Sequence, residues 1–160
     1  MSTSPTHSAE QESSRPVGPA HGCLQRTFIG WTIFFVIGVL VQVFMAGLMV
    51  LVPVAAAVGQ IVHVSLGSLL VLVTLPLLIL SLISGLPTSV KWLSALLVLL
   101  VALQSIWIYP MRHWGLPWLS AMHPVSALFI FTIPLYIIAR SRRAMQEAVA
   151  AQSPMPDYGQ

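Results

Sequence analysis

Long runs of apolar residues follow one another along the chain and are separated by short polar segments. Asp, Glu, Lys and Arg are absent from three stretches of the sequence, namely 27–90, 92–111 and 113–139. A helix that crosses a bilayer needs about 20 consecutive and mostly apolar residues. The first stretch is long enough for two such helices joined by a turn, and each of the others is long enough for one. The pattern therefore predicts four spanning helices, near residues 28–51, 59–83, 92–110 and 118–139.

Four consecutive spans joined by short turns favour an all-α fold, a four-helix transmembrane bundle with up-down topology. In this arrangement the second and fourth helices are diagonal neighbours. The bundle is expected to occupy residues 27–140. Residues 1–26 are rich in Ser, Thr, Pro and Gln and are predicted to be a disordered tail. Residues 141–160 are predicted to form a C-terminal tail, in which the last helix continues for a turn or two.

Basic residues distinguish the two sides of the predicted bundle. Four spans place both tails and the middle loop on one side, and Arg112 is the only basic residue on the other. The remaining six basic residues are Arg15, Arg26, Lys91, Arg140, Arg142 and Arg143. Short loops with an excess of Lys and Arg stay on the cytoplasmic side. We therefore expect a multi-pass protein of the plasma membrane with both tails cytoplasmic (N-in and C-in).

Composition excludes several classes of function. Charged residues make up only 7% of the chain, whereas soluble domains have about 25%, so too few charges are present to cover a soluble surface. Acidic residues occur only near the two ends of the chain: Glu10, Glu12, Glu147 and Asp157. The apolar region therefore offers no carboxylate pair for acid–base catalysis, no Asp-containing triad and no carboxylate metal cage. The single Cys23 excludes an internal disulfide, and the scattered basic residues argue against binding to nucleic acid.

Two ionisable residues lie inside the predicted spans, His63 in the second and His123 in the fourth. Such residues are costly in hydrocarbon and are functional candidates by default. Each lies about five residues inside the outer end of its helix, or roughly 7 Å below the membrane boundary. Two imidazoles at matched depth on diagonal helices suit a planar metal macrocycle with two axial nitrogen ligands. The sequence therefore predicts that His63 and His123 ligate a haem iron.

Further small and polar residues fit such a site. Gln60 and Gly67 share the helix face of His63, and Gly67 would leave room for the edge of a porphyrin. Gln104 on the third helix lies at similar depth, and Gln42 on the first lies somewhat deeper. Either amide could orient a ligand His through the second ring nitrogen.

The outer side supplies one cation, Arg112, which is a natural partner for haem carboxylates that point outward. His113 could play the same part or lie in solvent. Structural alternatives stay open, because an intramembrane His or Gln often joins neighbouring helices and an Arg often anchors the interface. A bare metal or proton site is a further alternative, in which Met111 and Met122 would favour copper.

Short motifs in the spans resemble one four-helix half of haem A synthase. They are the second-span His63, LVALQSIW around Gln104 and SAMHPVSALFIF around His123. Together with VQVFMAGLMV of the first span, they are also similar to a group of small four-helix bacterial membrane proteins. The resemblance covers residues 28–140 and implies that the two His residues ligate a haem from the extracytoplasmic side. The chain departs from haem A synthase after the first span, where a short outer loop lacks the catalytic Glu and the Cys pair, so haem A synthesis is not expected of this chain alone.

The leading functional expectation is a b-type haem protein of the membrane that passes electrons or holds haem for a partner. Its partners are then the lipid bilayer, a quinone or a membrane redox protein, and a second copy of the chain. No residue is assigned as catalytic, so any enzymatic role would be that of a membrane oxidoreductase component. The alternative is a cofactor-free accessory or assembly subunit of a larger membrane complex.

Overall fold

The chain folds into four long α-helices. The structure, a computed structural model, describes residues 19–152, except for the side chains of residues 19–20, 105, 108–112 and 152. The helices are α1 (Pro19–Leu51), α2 (Ala56–Ile83), α3 (Thr88–His113) and α4 (Met122–Gln152). Short 3₁₀ helices, Pro53–Ala55 and Pro117–Ala121, precede α2 and α4. No strand occurs in the described part of the chain. The prediction of an all-α fold with four helices is confirmed.

Helix length and composition place the bundle in a membrane. Three of the helical segments are long and apolar enough to span a bilayer: His21–Leu51, Pro53–Ile83 and Pro117–Ala151. The remaining helix, α3, has 26 residues and is apolar over Thr88–Gln104. At 1.5 Å per residue, 26 residues extend about 39 Å, more than the hydrocarbon thickness of about 30 Å. The fold is that of a multi-pass membrane protein.

The helix α1 is longer than the sequence pattern predicts. It already begins at Pro19, so the last residues of the predicted disordered tail are helical. They are held by a tertiary contact, because Gln25 Nε2 donates a hydrogen bond to the carbonyl of Ser84 at 3.1 Å. The helix α4 continues into the C-terminal tail as far as Gln152, and its Met145 packs against the core. The rest of the two predicted tails lies outside the described residues.

The helices are arranged as a square, with each helix beside its neighbours in sequence and α1 beside α4. Among the described residues, the backbones of α1 and α3 do not approach one another closely, and neither do those of α2 and α4. These are the two diagonals of the bundle. Short connections between consecutive helices enforce this antiparallel up-down arrangement.

The tightly packed core occupies the half of the bundle that holds the N-terminus of α1 and the C-terminus of α4. Its fully buried apolar side chains are Phe28, Phe35, Leu77, Val90, Leu97 and Ile137. The other half is packed more loosely. Between residues 40 and 69 only Gly59 is buried, and no described side chain between residues 102 and 125 is buried. The polar residues predicted to form a site all belong to this loose half.

Trp31 joins α1 to α2 within the tight half. Its indole Nε1 donates a hydrogen bond to the carbonyl of Val73 at 2.8 Å. Hydrogen bonds between helices in a membrane contribute about 0.6–2 kcal/mol. We therefore expect Trp31→Phe to lower the free energy of unfolding in detergent micelles by this amount. The matched control is Trp92→Phe, since Trp92 is 73% exposed and should change little. Equal losses in the two variants would contradict the assignment.

Candidate functional site

Each of the four helices contributes one glutamine or histidine to a single level of the bundle. These residues are Gln42 on α1, His63 on α2, Gln104 on α3 and His123 on α4, and we call them the polar layer. Three contacts between these residues show that they lie at the same level. Gln42 is hydrogen-bonded to His63, the two His rings face each other, and the His123 ring approaches the backbone carbonyl of Gln104.

The two imidazoles meet across the axis of the bundle. Their ring centroids are 6.2 Å apart, and the ring planes make an angle of 64°. Because α2 and α4 lie on a diagonal without close backbone contact, only these long side chains can bridge the distance. The two rings thus meet edge to face at one level of the bundle.

A reciprocal pair of contacts fixes His63 against α1. Gln42 Nε2 donates to the backbone carbonyl of His63 at 2.7 Å, and His63 Nδ1 lies 3.2 Å from the backbone carbonyl of Gln42. A carbonyl oxygen only accepts hydrogen bonds, so the proton of this contact lies on Nδ1. In the neutral ring Nε2 then carries the lone pair, which is the form that ligates a metal ion.

Gly67 is required for the position of Gln42. A Cβ at residue 67 would lie 2.8 Å from Gln42 Nε2, well inside contact distance. The Gln42 amide therefore fills the space beside Gly67 in which a porphyrin edge is predicted from the sequence. The same amide donates to the His63 carbonyl, one turn away from Gly67. The role of Gly67 is therefore to admit Gln42 rather than to line a porphyrin directly.

Buried polar atoms without a hydrogen-bond partner collect in and near the polar layer. In the part of the chain that the structure describes, six side-chain atoms are of this kind. Five belong to the loose half of the bundle: Gln42 Oε1, Gln104 Oε1, Trp107 Nε1, Ser120 Oγ and His123 Nδ1. Leaving such a group unpaired costs about 1–3 kcal/mol. Because five of the six lie in the loose half, that half holds donors and acceptors that are free to bind a polar group or a metal ion.

Two of these groups, Trp107 and Ser120, are not among the site residues predicted from sequence. Trp107 follows Gln104 by three residues on α3, and Ser120 precedes His123 by three residues. Each therefore lies about one turn closer to the end of the bundle where α3 ends and α4 begins. Helical spacing from the predicted glutamine and histidine could have suggested them. Their indole N–H and hydroxyl are donors that face no described acceptor.

The remaining predicted site residues are placed differently. Gln60 is exposed on α2 and takes no part in the polar layer. His113 is exposed at the end of α3, and Met122 is 40% exposed at the start of α4. The side chains of Arg112 and Met111 lie outside the described residues.

The fold and the polar layer together define a multi-pass helical membrane protein with two facing histidines in the loosely packed half of its bundle. Among the described residues, no charged side chain belongs to the layer, and three or more His, Cys, Asp or Glu side chains do not gather in one place. No family model, no curated protein and no solved structure matches the chain.

The contact between Gly67 and Gln42 can be tested by mutation. Gly67→Ala should force the Gln42 amide away from the His63 carbonyl and give a free energy of unfolding about 0.6–2 kcal/mol below that of Gly47→Ala, as expected for the loss of an interhelical hydrogen bond. Gly47→Ala is the control, because a Cβ at residue 47 meets no atom within 4 Å and Ala is the better helix former. Unfolding in detergent measures both.

A double-mutant cycle separates this mechanism from a general packing effect. In a Gln42→Ala background the amide is gone, so the cost of Gly67→Ala should disappear. The same cost in both backgrounds would show that Gly67 does not act through Gln42.

Proposed function

We propose that the protein is an integral membrane haem-binding protein, in which His63 and His123 supply the two axial ligands of one haem b. The observation that carries the proposal is the separation of the two rings, 6.2 Å between centroids. It is supported by the tautomer of His63, by the unpaired polar atoms of the layer and by the loose packing around them.

The ring separation distinguishes a shared metal from a direct hydrogen bond. A ligating imidazole nitrogen lies about 2.0–2.1 Å from its metal, with the ring centroid about 1.2 Å further away, so two imidazoles on opposite sides of one metal have centroids about 6.5 Å apart. A direct N–H···N bond, with nitrogens about 3 Å apart, would bring the centroids to about 5.4 Å or less. The observed 6.2 Å is close to the first value and too long for the second.

Neighbouring groups meet the other needs of a haem. The Gln42 carbonyl accepts from His63 Nδ1, and such a contact orients a ligand His and raises its basicity. The donors of Trp107 and Ser120 are unpaired within the described residues and suit the carboxylates of a haem, together with Arg112 of the same outer region. The backbone carbonyl of Gln104 lies beside the His123 ring and would orient that ligand in the same way.

The site is assigned to the extracytoplasmic side. His63 lies two turns into α2, and His123 directly follows the 3₁₀ helix that precedes α4, so both are near the same ends of their helices. The opposite ends carry Arg26, Lys91, Arg140, Arg142 and Arg143, five of the seven basic residues of the chain, which favours a cytoplasmic location for those ends and for both tails. The location proposed with this orientation is the plasma membrane.

A haem bound here would supply one-electron chemistry. A single haem near one face does not by itself carry an electron across about 30 Å of hydrocarbon. Electron transfer therefore calls for a lipid quinone, a membrane redox protein or a second copy of the chain as partner. If the protein instead holds haem for delivery to a partner, it needs the same two ligands but no second electron carrier.

A second candidate function is a cofactor-free accessory subunit of a membrane complex. The observation that favours it is the reciprocal contact of Gln42 and His63, which by itself gives His63 a role in joining α1 to α2. This function needs no ligand at His123. It predicts a colourless protein that co-purifies with another membrane protein.

Titration of the purified protein with haem tests the ligand assignment. His63→Ala and His123→Ala should each weaken haem binding by at least about 100-fold. Gln42→Ala removes the hydrogen bond to the His63 backbone carbonyl but keeps the backbone carbonyl that accepts from Nδ1, so it should weaken binding by about tenfold at most. His113→Ala is the matched control, since His113 is exposed at the end of α3 and should bind haem as the unaltered protein does. The binding is followed by the absorbance of the haem.

Two outcomes would contradict the proposal. Unchanged affinity in both His63→Ala and His123→Ala would remove these residues from the haem site. Failure of the unaltered protein to bind haem, with co-purification of another membrane protein, would support the accessory subunit instead.

A further inference from the structure

A groove with two arginines at its rim lies at the end of the bundle opposite the polar layer. It has a volume of about 340 Å³ and runs between the first turns of α1 and the end of α4. Its lining residues are Arg26, Ile29, Arg142, Met145 and Gln146. The groove shares no residue with the polar layer, so an inference from it is independent of the haem.

The two arginines come from different helices and line the same groove. Arg26 immediately precedes the first apolar run of the chain, and Arg142 closely follows the last one. Both are exposed. Within the described residues neither is paired with a carboxylate. Two cations at this position form an electrostatic site for an anion, and the planar fork of arginine suits phosphate oxygens in particular.

Apolar side chains form the other part of the groove. Ile29 belongs to the buried core cluster, and Met145 packs against that cluster. The lining thus combines two exposed cations with two apolar side chains, and it lies where the apolar helices give way to polar sequence. A phospholipid has the complementary combination of a phosphate at the bilayer surface and hydrocarbon beneath it. Free phosphate or another small anion would leave the apolar side chains of the lining uncovered.

We propose that this groove binds the headgroup phosphate of an anionic phospholipid, with Arg26 and Arg142 as its phosphate ligands and Ile29 and Met145 against the upper acyl chain. Basic pockets between helices on the cytoplasmic side of membrane proteins bind anionic headgroups in this way. The bound lipid bridges α1 and α4, the two helices that close the square of the bundle.

Native mass spectrometry of the full chain in detergent tests the proposal, with phosphatidylglycerol and phosphatidylcholine as competing probes. The test variant is Arg26→Gln/Arg142→Gln. The matched control is Arg140→Gln/Arg143→Gln, which removes the same charge from two exposed arginines outside the groove. A charge-assisted hydrogen bond to the phosphate, which only the groove arginines make, contributes about tenfold or more in affinity. The unaltered protein should prefer phosphatidylglycerol, and the test variant should lose about 100-fold in affinity for it, several times more than the control.

Three results would overturn the proposal. Equal losses in the two variants, with helix content preserved by circular dichroism, would show that surface charge alone attracts the lipid. Lack of preference for phosphatidylglycerol in the unaltered protein would show that no anionic headgroup is recognised. Displacement of the lipid by an equal concentration of inorganic phosphate would show a site for free phosphate.

Discussion

Polar side chains within a bilayer must find partners inside the protein, and this constraint governs the loosely packed half of the bundle. Water cannot satisfy them there, and each unpaired group is costly. Gln42 and His63 satisfy part of the requirement by bonding to one another's backbone carbonyls. His123 Nδ1 and the Gln104 amide oxygen do not find such partners among the described residues. A haem between the two rings would explain why these groups are kept together in an otherwise apolar bundle.

The two halves of the bundle differ in a way that follows from this constraint. Aliphatic and aromatic side chains such as Phe35 and Leu77 pack tightly in the half that holds the N-terminus of α1, and they can supply most of the stability of the fold. The loose half then need not be closely packed, and its helices are free to surround a group that is not part of the chain. In the tight half, Arg26 and Arg142 line the groove between α1 and α4.

Much of this arrangement can be predicted from the sequence, for reasons that are local. Uninterrupted apolar runs define the helices, their short connections define the square, and equal depth on diagonal helices brings His63 to His123. Other features depend on contacts between distant residues. The early start of α1 relies on the bond from Gln25 to Ser84, and the place of Gly67 depends on the Gln42 side chain. Neither contact leaves a periodic signal in the sequence, so neither could be foreseen.

We propose that His63 and His123 share one haem iron, and a reduced-minus-oxidised absorption spectrum of the detergent-purified protein, produced with ample haem, would test this ligation. We expect sharp bands of a low-spin haem with two nitrogen ligands, at a stoichiometry of about one haem per chain. A flat spectrum that persists after an attempt at reconstitution with haem would overturn the shared iron and return both histidines to hydrogen bonding between helices.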